Sequence, residues 1–154
     1  MPCRDVNALT PTLRTLCQEH MEACRREGFD VFVTWTLRTP TEQAALYAQG
    51  RRPLSEVNRL RADAGLPPVT QRQNSFPVTW SQRSRHFPGP DGLGRAYDLA
   101  LRNKEGLVWD PKADSDEDQI PDWEEIARLA EALGLAAGKR FGDPAHFQMR
   151  ENPR

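Results

Sequence analysis

The chain has 154 residues, 38% of them hydrophobic and 28% charged, with a formal net charge of −1. That is enough for one domain with its own core, and a charge near zero gives no electrostatic case for a nucleic-acid partner. No apolar run approaches the ~20 residues of a membrane-spanning helix, and the start, Met1-Pro2-Cys3-Arg4-Asp5-Val6-Asn7, lacks the charged-then-apolar profile of a secretory signal.

Leu9, Leu13, Leu16, Cys17 and Cys24 recur at helical spacing and Gly28 supplies a stop, which predicts an amphipathic helix over 7–27. Cys17 and Cys24 share one face of it and read as core. With Cys3 the cysteines number three, an odd count without a Cys-x-x-Cys pair. Neither a disulfide framework nor a zinc ribbon is indicated, and synthesis in a reducing compartment is expected. His20 lies on this helix, far from the motifs below, and reads as structural. Residues 30–37 read as a strand with Val31, Val33, Trp35 and Leu37 on one face. Thr39, Pro40 and Glu42 form a capping box that opens the next helix, and Gly50 ends it. Arg38 falls at that junction, where a side chain projects from a rigid frame.

A short helix is predicted from Ser55 to Ala64, closed by Gly65 and followed by Pro67-Pro68. Val78-Thr79-Trp80 reads as a strand leading into Ser84 and His86. From Arg95 to Leu101 the chain alternates, with Ala96, Asp98 and Ala100 on one face and Tyr97, Leu99 and Leu101 on the other. Trp123, Ile126, Ala127, Ala130 and Leu133 mark a helix that starts near Pro121 and ends at Gly134. The last strand, Ala145 to Met149, turns Ala145, Phe147 and Met149 inward and His146 and Gln148 to the opposite face. Together these elements predict an α+β fold: a small antiparallel sheet with helices packed on one face and a site on the other. Residues 1–154 are expected to form a single domain, with no internal repeat or low-complexity linker.

The chemistry sits in three segments: Ser84-Arg85-His86, Gly94-Arg95-Ala96-Tyr97-Asp98 and Asp143-Pro144-Ala145-His146. They hold two of the three histidines. Imidazoles from His86 and His146 with a carboxylate oxygen from Asp98 make a His₂Asp set for zinc, leaving a fourth position for water. The pKa of such a water falls toward roughly 7. Asp143 is the candidate to take its proton and pass it to a leaving amine; Gly142-Asp143-Pro144 is also a good turn sequence, and both readings can hold together. Arg38 is a fixed cation suited to the charge that builds on a carbonyl oxygen, against the alternative of a surface salt bridge.

The order Ser84-x-His86, Gly94-x-Ala96-x-Asp98 and Asp143-x-x-His146 resembles the M15 family of zinc peptidases, which includes D-Ala-D-Ala carboxypeptidases, VanX/VanY-type enzymes and phage L-alanyl-D-glutamate endopeptidases. The stretch Leu37 to Gly50 resembles the family's arginine-plus-glutamine segment, so the likeness spans roughly residues 30 to 149. His86 and Asp98 stand twelve residues apart where the family usually has seven. The turn-rich stretch Phe87–Leu93 is expected to absorb the extra length as a longer loop. The resemblance implies a hedgehog/DD-peptidase-like fold and Arg38 as the oxyanion group. It implies a supporting or substrate-contacting Gln43, and a substrate-contacting Ser84 for which a supporting hydrogen bond is the alternative.

Between these elements, Asp114, Asp116, Asp118, Asp122 and Glu125 place oxygens at loop positions 1, 3, 5, 9 and 12, with the backbone carbonyl of Ile120 at position 7. That is EF-hand-like calcium spacing, although Gln119 stands where the pattern wants glycine. An exposed acidic loop leading into a helix, favourable for the helix dipole, is the other reading.

The resemblance implies a zinc peptidase acting on bacterial peptidoglycan stem peptide, most like an endolysin cutting the L-Ala–D-Glu bond. A monomer without membrane insertion or a separate wall-binding domain is expected, made in the host cytoplasm and reaching the wall by holin-type release. A D,D-carboxypeptidase or dipeptidase on D-Ala-D-Ala termini is the alternative enzyme. A non-catalytic, metal-stabilised wall-binding or virion module is the alternative outside enzymes; Asp143 and Arg38 argue against it, since a structural zinc needs neither.

Overall fold

The computed structural model describes residues 2–79 and 81–150. Helix α1 spans Pro11–Arg26, opened by Thr10, whose hydroxyl accepts from the Leu13 amide, and by Pro11 in the first turn. It starts four residues later than expected because the preceding backbone is otherwise engaged. Val6–Ala8 forms a 3-10 turn, and Leu9 bridges Gly94, which donates to Ala8 O at 2.8 Å and accepts from Thr10 N at 3.1 Å.

Among the described residues, five strands make the sheet: β1 (Asp30–Trp35), β2 (Ala96–Asn103), β3 (Gly106–Leu107), β4 (Leu135–Ala137) and β5 (His146–Met149). Its order is β1-β2-β5-β4, all antiparallel, with the short β3 folding back on β2. Val31 opposes Leu101, Val33 opposes Leu99 and Tyr97 opposes Phe147, so one face is apolar throughout. Helices α1 and α4 (Asp122–Ala132) cover that face. Leu13, Cys17 and Cys24 of α1 meet Trp123, Ile126, Ala127 and Ala130 of α4 over Tyr97, Leu99 and Phe147. Each such large apolar side chain contributes roughly 1.5–3 kcal/mol on burial. His20 is buried among them with both nitrogens bonded, Nδ1 to the Tyr97 hydroxyl at 2.8 Å and Nε2 to Ile126 O at 2.9 Å. Burial presses its pKa down, so it is a neutral, structural histidine.

The expected single face for Val31, Val33, Trp35 and Leu37 breaks after Val33. A bulge between Val33 and Trp35 shifts the register, and Trp35 opposes Asp98 rather than Tyr97. Trp35 thereby crosses to the site face, and the strand ends there. Helix α2 (Pro40–Ala48) carries the full capping box, Thr39 Oγ1 accepting from Glu42 N and Glu42 Oε1 accepting from Thr39 N. It pairs with α3 (Leu54–Asp63) around a second cluster of Ala45, Leu46 and Leu66, to which Trp35 is packed. This helix pair walls the site side of the molecule. Residues 78–79 are not a strand, and Trp80 lies outside the described residues. Among the described residues Val78 and Thr79 have no ladder partner; instead Gln43 Nε2 donates to Thr79 Oγ1 and Ser81 O. No described helix is long and apolar enough to cross a membrane.

Candidate metal centre

Antiparallel pairing puts Asp98 of β2 directly opposite His146 of β5, with both side chains on the face away from the core. His86 arrives from a turn outside the sheet. Its amide donates to Ser84 Oγ at 3.0 Å, its carbonyl accepts from Arg38 N at 2.9 Å, and its Nδ1 lies 2.7 Å from Thr36 O. The extra residues after it close on themselves, Gly89 N donating to Leu93 O and Gly92 N to Gly89 O. The longer loop therefore leaves His86 and Asp98 together.

A carbonyl only accepts, so Thr36 O fixes the His86 proton on Nδ1 and leaves a lone pair on Nε2. Gln148 Oε1, 2.8 Å from His146 Nε2, does the same for His146 and leaves its lone pair on Nδ1. Both lone pairs face Asp98 Oδ1, at 3.1 and 3.3 Å. Three electron-rich atoms converging in this way call for a cation between them. The three ligand atoms lie within 4.8 Å of one another, and spacings near 3.3 Å are the edges of a tetrahedron with the ~2.0–2.2 Å bonds of zinc to nitrogen and oxygen. The residues fit a zinc ion, with the carbonyl of Thr36 and the amide of Gln148 orienting the ligands.

The other Asp98 oxygen, Oδ2, accepts from Arg38 Nη2 at 3.1 Å. Burial alone would raise the Asp98 pKa; with no metal between them, protonated imidazoles of His86 and His146 would outweigh it and hold the carboxyl well below the usual carboxylate range. Arg38 is 7% exposed, which excludes the surface salt bridge. Its guanidinium lies 4.1 Å over the Trp35 ring, and Nη1 donates to Gln43 Oε1 at 2.8 Å. Gln43 is itself buried and engaged at both ends, so it positions Arg38, Thr79 and Ser81. Ser84 lines the cleft, and its oxygen accepts from the His86 amide.

Asp143 stands exposed at the lip of the cleft. Its amide donates to Gly138 O and its carbonyl accepts from His146 N, which locks the acid and the ligand into one turn. A Cβ on Gly138 would collide with the Asp143 carbonyl, so glycine there lets the preceding 3-10 turn approach. Desolvation on its inner side, then the negative Asp98, push the Asp143 carboxyl up from its ordinary value. The cleft above these groups measures about 620 Å³, within the range of ligand-binding clefts. Sequence reading missed Thr36, which acts through a backbone carbonyl that any residue has. It also missed the part of Gln148, whose two-residue spacing from His146 was the available signal.

In the acidic loop, Asp114 accepts from the amides of Asp118 and Gln119, Asp118 from Ile120 and Asp122 from Ser115. Gln119 adopts φ 71°, the left-handed conformation for which the pattern prefers glycine. Carboxylates gather in two sets, Asp114–Asp116–Asp122 and Asp116–Asp118–Glu125. Glu125 is pushed up to about 7 by desolvation, by its bond to Asp118 and by the charges around it.

No family model matches the chain. It is 29% identical over 148 residues to the peptidoglycan L-alanyl-D-glutamate endopeptidase CwlK of Bacillus subtilis (strain 168), across 94% of this chain and 75% of that protein. Its fold is similar to the crystal structure of the Serratia marcescens L-Ala D-Glu endopeptidase ChiX, with a TM-score of 0.54 at 16% identity over 97% of this chain and 89% of that one. A more distant likeness, with a TM-score of 0.48 at 13% identity, is to the LdcB LD-carboxypeptidase, over 92% of this chain and 58% of that one.

Proposed function

We propose that this chain, M15 peptidase-like in sequence and fold, is a zinc peptidase that cleaves peptidoglycan at the L-Ala–D-Glu bond of the stem peptide. The observation that carries the reading is the convergence of His86, Asp98 and His146 with Asp143 and Arg38 in one cleft. Bound to the three ligands, zinc supplies Lewis acidity and lowers the pKa of a water. Asp143 would accept a proton from the attacking water and deliver it to the amine as the C–N bond breaks. A carboxyl raised from its ordinary value suits the second half of that task. Arg38, fixed by Gln43 and Asp98, places positive charge beside the developing oxyanion. Digestion of purified cell wall followed by mass spectrometry tests the reading: a new free amine on D-glutamate is expected. Release of terminal D-alanine would instead make the enzyme a carboxypeptidase, and wall bound without any product would make it a non-catalytic module.

Calcium binding by the Asp114–Glu125 loop is a separate proposal, supported by the ligand spacing and by the left-handed Gln119. Calorimetric titration of the zinc-loaded protein should show one calcium bound, and an Asp116→Ala/Asp118→Ala variant should show none. No heat up to millimolar calcium in the parent protein would leave an acidic turn.

A further inference from the structure

Among the described residues, the exposed large apolar side chains are not spread evenly. Of Phe76, Val78, Leu107, Trp109 and Phe141, three, namely Val78, Trp109 and Phe141, line the cleft of the metal centre. Phe141 is accounted for by its edge contact with the ligand His146, ring centroids 6.0 Å apart. Trp109 is different: 54% exposed, it is backed by a buried tryptophan, Trp123, which is 1% exposed. The two rings lie 6.4 Å apart and 12° from parallel. The backbone beside Trp109 is pinned from both sides, Val108 N donating to Leu101 O at 2.8 Å and Val108 O accepting from Trp123 Nε1 at 3.0 Å. A flat, rigid aromatic surface is thus held open at the mouth of the cleft, where burial in the core would have served stability better.

We infer that Trp109 is a saccharide-stacking platform, which receives a pyranose ring of the glycan strand while the stem peptide lies over the metal ligands. This rests on the proposed function, and follows from the chemistry of that substrate. Neither L-alanine nor D-glutamate has a flat apolar face. The alanine nitrogen is joined through a lactyl group to a sugar, so a pyranose is the next group on that side of the scissile bond. A pyranose presents C–H bonds on its face and hydroxyls at its edge, and so matches an indole face surrounded by solvent. A large aromatic side chain loses little conformational freedom in making such a contact, which suits tryptophan to the task.

Steady-state kinetics on the zinc-loaded protein with two substrates test the assignment: a muramoyl stem peptide, and the same peptide N-acetylated in place of the sugar. The parent should favour the sugar-bearing substrate by about tenfold in kcat/KM, chiefly through KM. Trp109→Leu keeps an apolar cover over Trp123 but has no flat face, and should lose that preference. Trp109→Phe should keep most of it. A Trp109→Leu variant with the parental preference, or a parent with none, overturns the platform while leaving the peptidase intact. Cleavage of neither substrate by the parent overturns the peptidase reading itself, and the platform with it.

Discussion

Asp98 is used from three directions. Its Oδ1 faces the His86 and His146 lone pairs and its Oδ2 takes Arg38, so the carboxylate proposed as a metal ligand is also the anchor of the cationic group beside it. Asp143 belongs to the same turn as His146 but is no ligand; it is exposed where the three ligand residues are not. Removing it should therefore separate chemistry from metal binding. Asp143→Ala is expected to keep its zinc and its melting temperature and to lose about 10²–10⁴-fold in turnover, the usual cost of a positioned acid–base group. Metal content and wall-clearing rate measured on the same preparation check this. A variant with parental turnover would show that another group carries the proton.

At the scale of elements, the turn that delivers Asp143 is tied to α4 by charge. Glu124 accepts from Arg140 at 2.8 and 2.9 Å and from Arg128 at 2.9 Å, with Lys139 Nζ at 3.4 Å; Arg140 also reaches Glu131. The Arg140 bonds come first in lowering the Glu124 carboxyl to about 2, against a smaller opposing effect of burial. Its unfolded value is near 4.5, so the contribution is full above about pH 4.5 and is lost as pH falls toward about 2. Glu124→Gln should be less stable than the parent by about 1 kcal/mol at neutral pH, a figure discounted for the solvent around Arg128 and Arg140. Urea denaturation should show that gap closing between pH 4.5 and 2.5; a gap independent of pH would mean the network acts by packing, not charge. Within this network only the Glu124–Arg128 pair, four residues apart on one helix, has a spacing that a sequence shows; Lys139 and Arg140 meet Glu124 and Glu131 only once the turn folds back on the helix. The helices themselves were legible, through the periodicity of Leu13, Cys17 and Cys24 and the caps at Thr39 and Gly134. The bulge after Val33 was not. An extra residue in a strand leaves the alternation of Val31, Val33 and Trp35 intact on paper and moves only the last of them to the other face. Strands as short as β3 and β4 fall below the length at which a two-residue period shows.

For the whole molecule, the division of the sheet into two faces decides what a metal bound at the proposed site would do for stability. The core of α1, α4 and the Tyr97–Leu99–Phe147 face closes without any contribution from His86 or Asp98. The other face ties the His86 turn, which hydrogen bonds hold outside the apolar core, to β2 and β5, the two strands that the core already fixes. That half of the site was legible in the sequence because ligand chemistry demands particular residues at 86, 98 and 146, whereas the backbone carbonyl of Thr36 demands none. Stripping the metal should therefore leave the protein folded but less stable, unlike a zinc finger, which has no core to fall back on. A ligand held at a thousand times its Kd stabilises by about 4 kcal/mol, and at roughly 2–4 °C per kcal/mol for a domain of this size a chelator should lower Tm by roughly 10 °C. The far-ultraviolet circular dichroism at 25 °C should stay unchanged, and His86→Ala should melt at the lower temperature with or without chelator. If the parent's Tm ignores the chelator, no metal is bound at these ligands. If the dichroism collapses on chelation, the apolar face does not hold the sheet by itself, and the metal is part of what folds the chain.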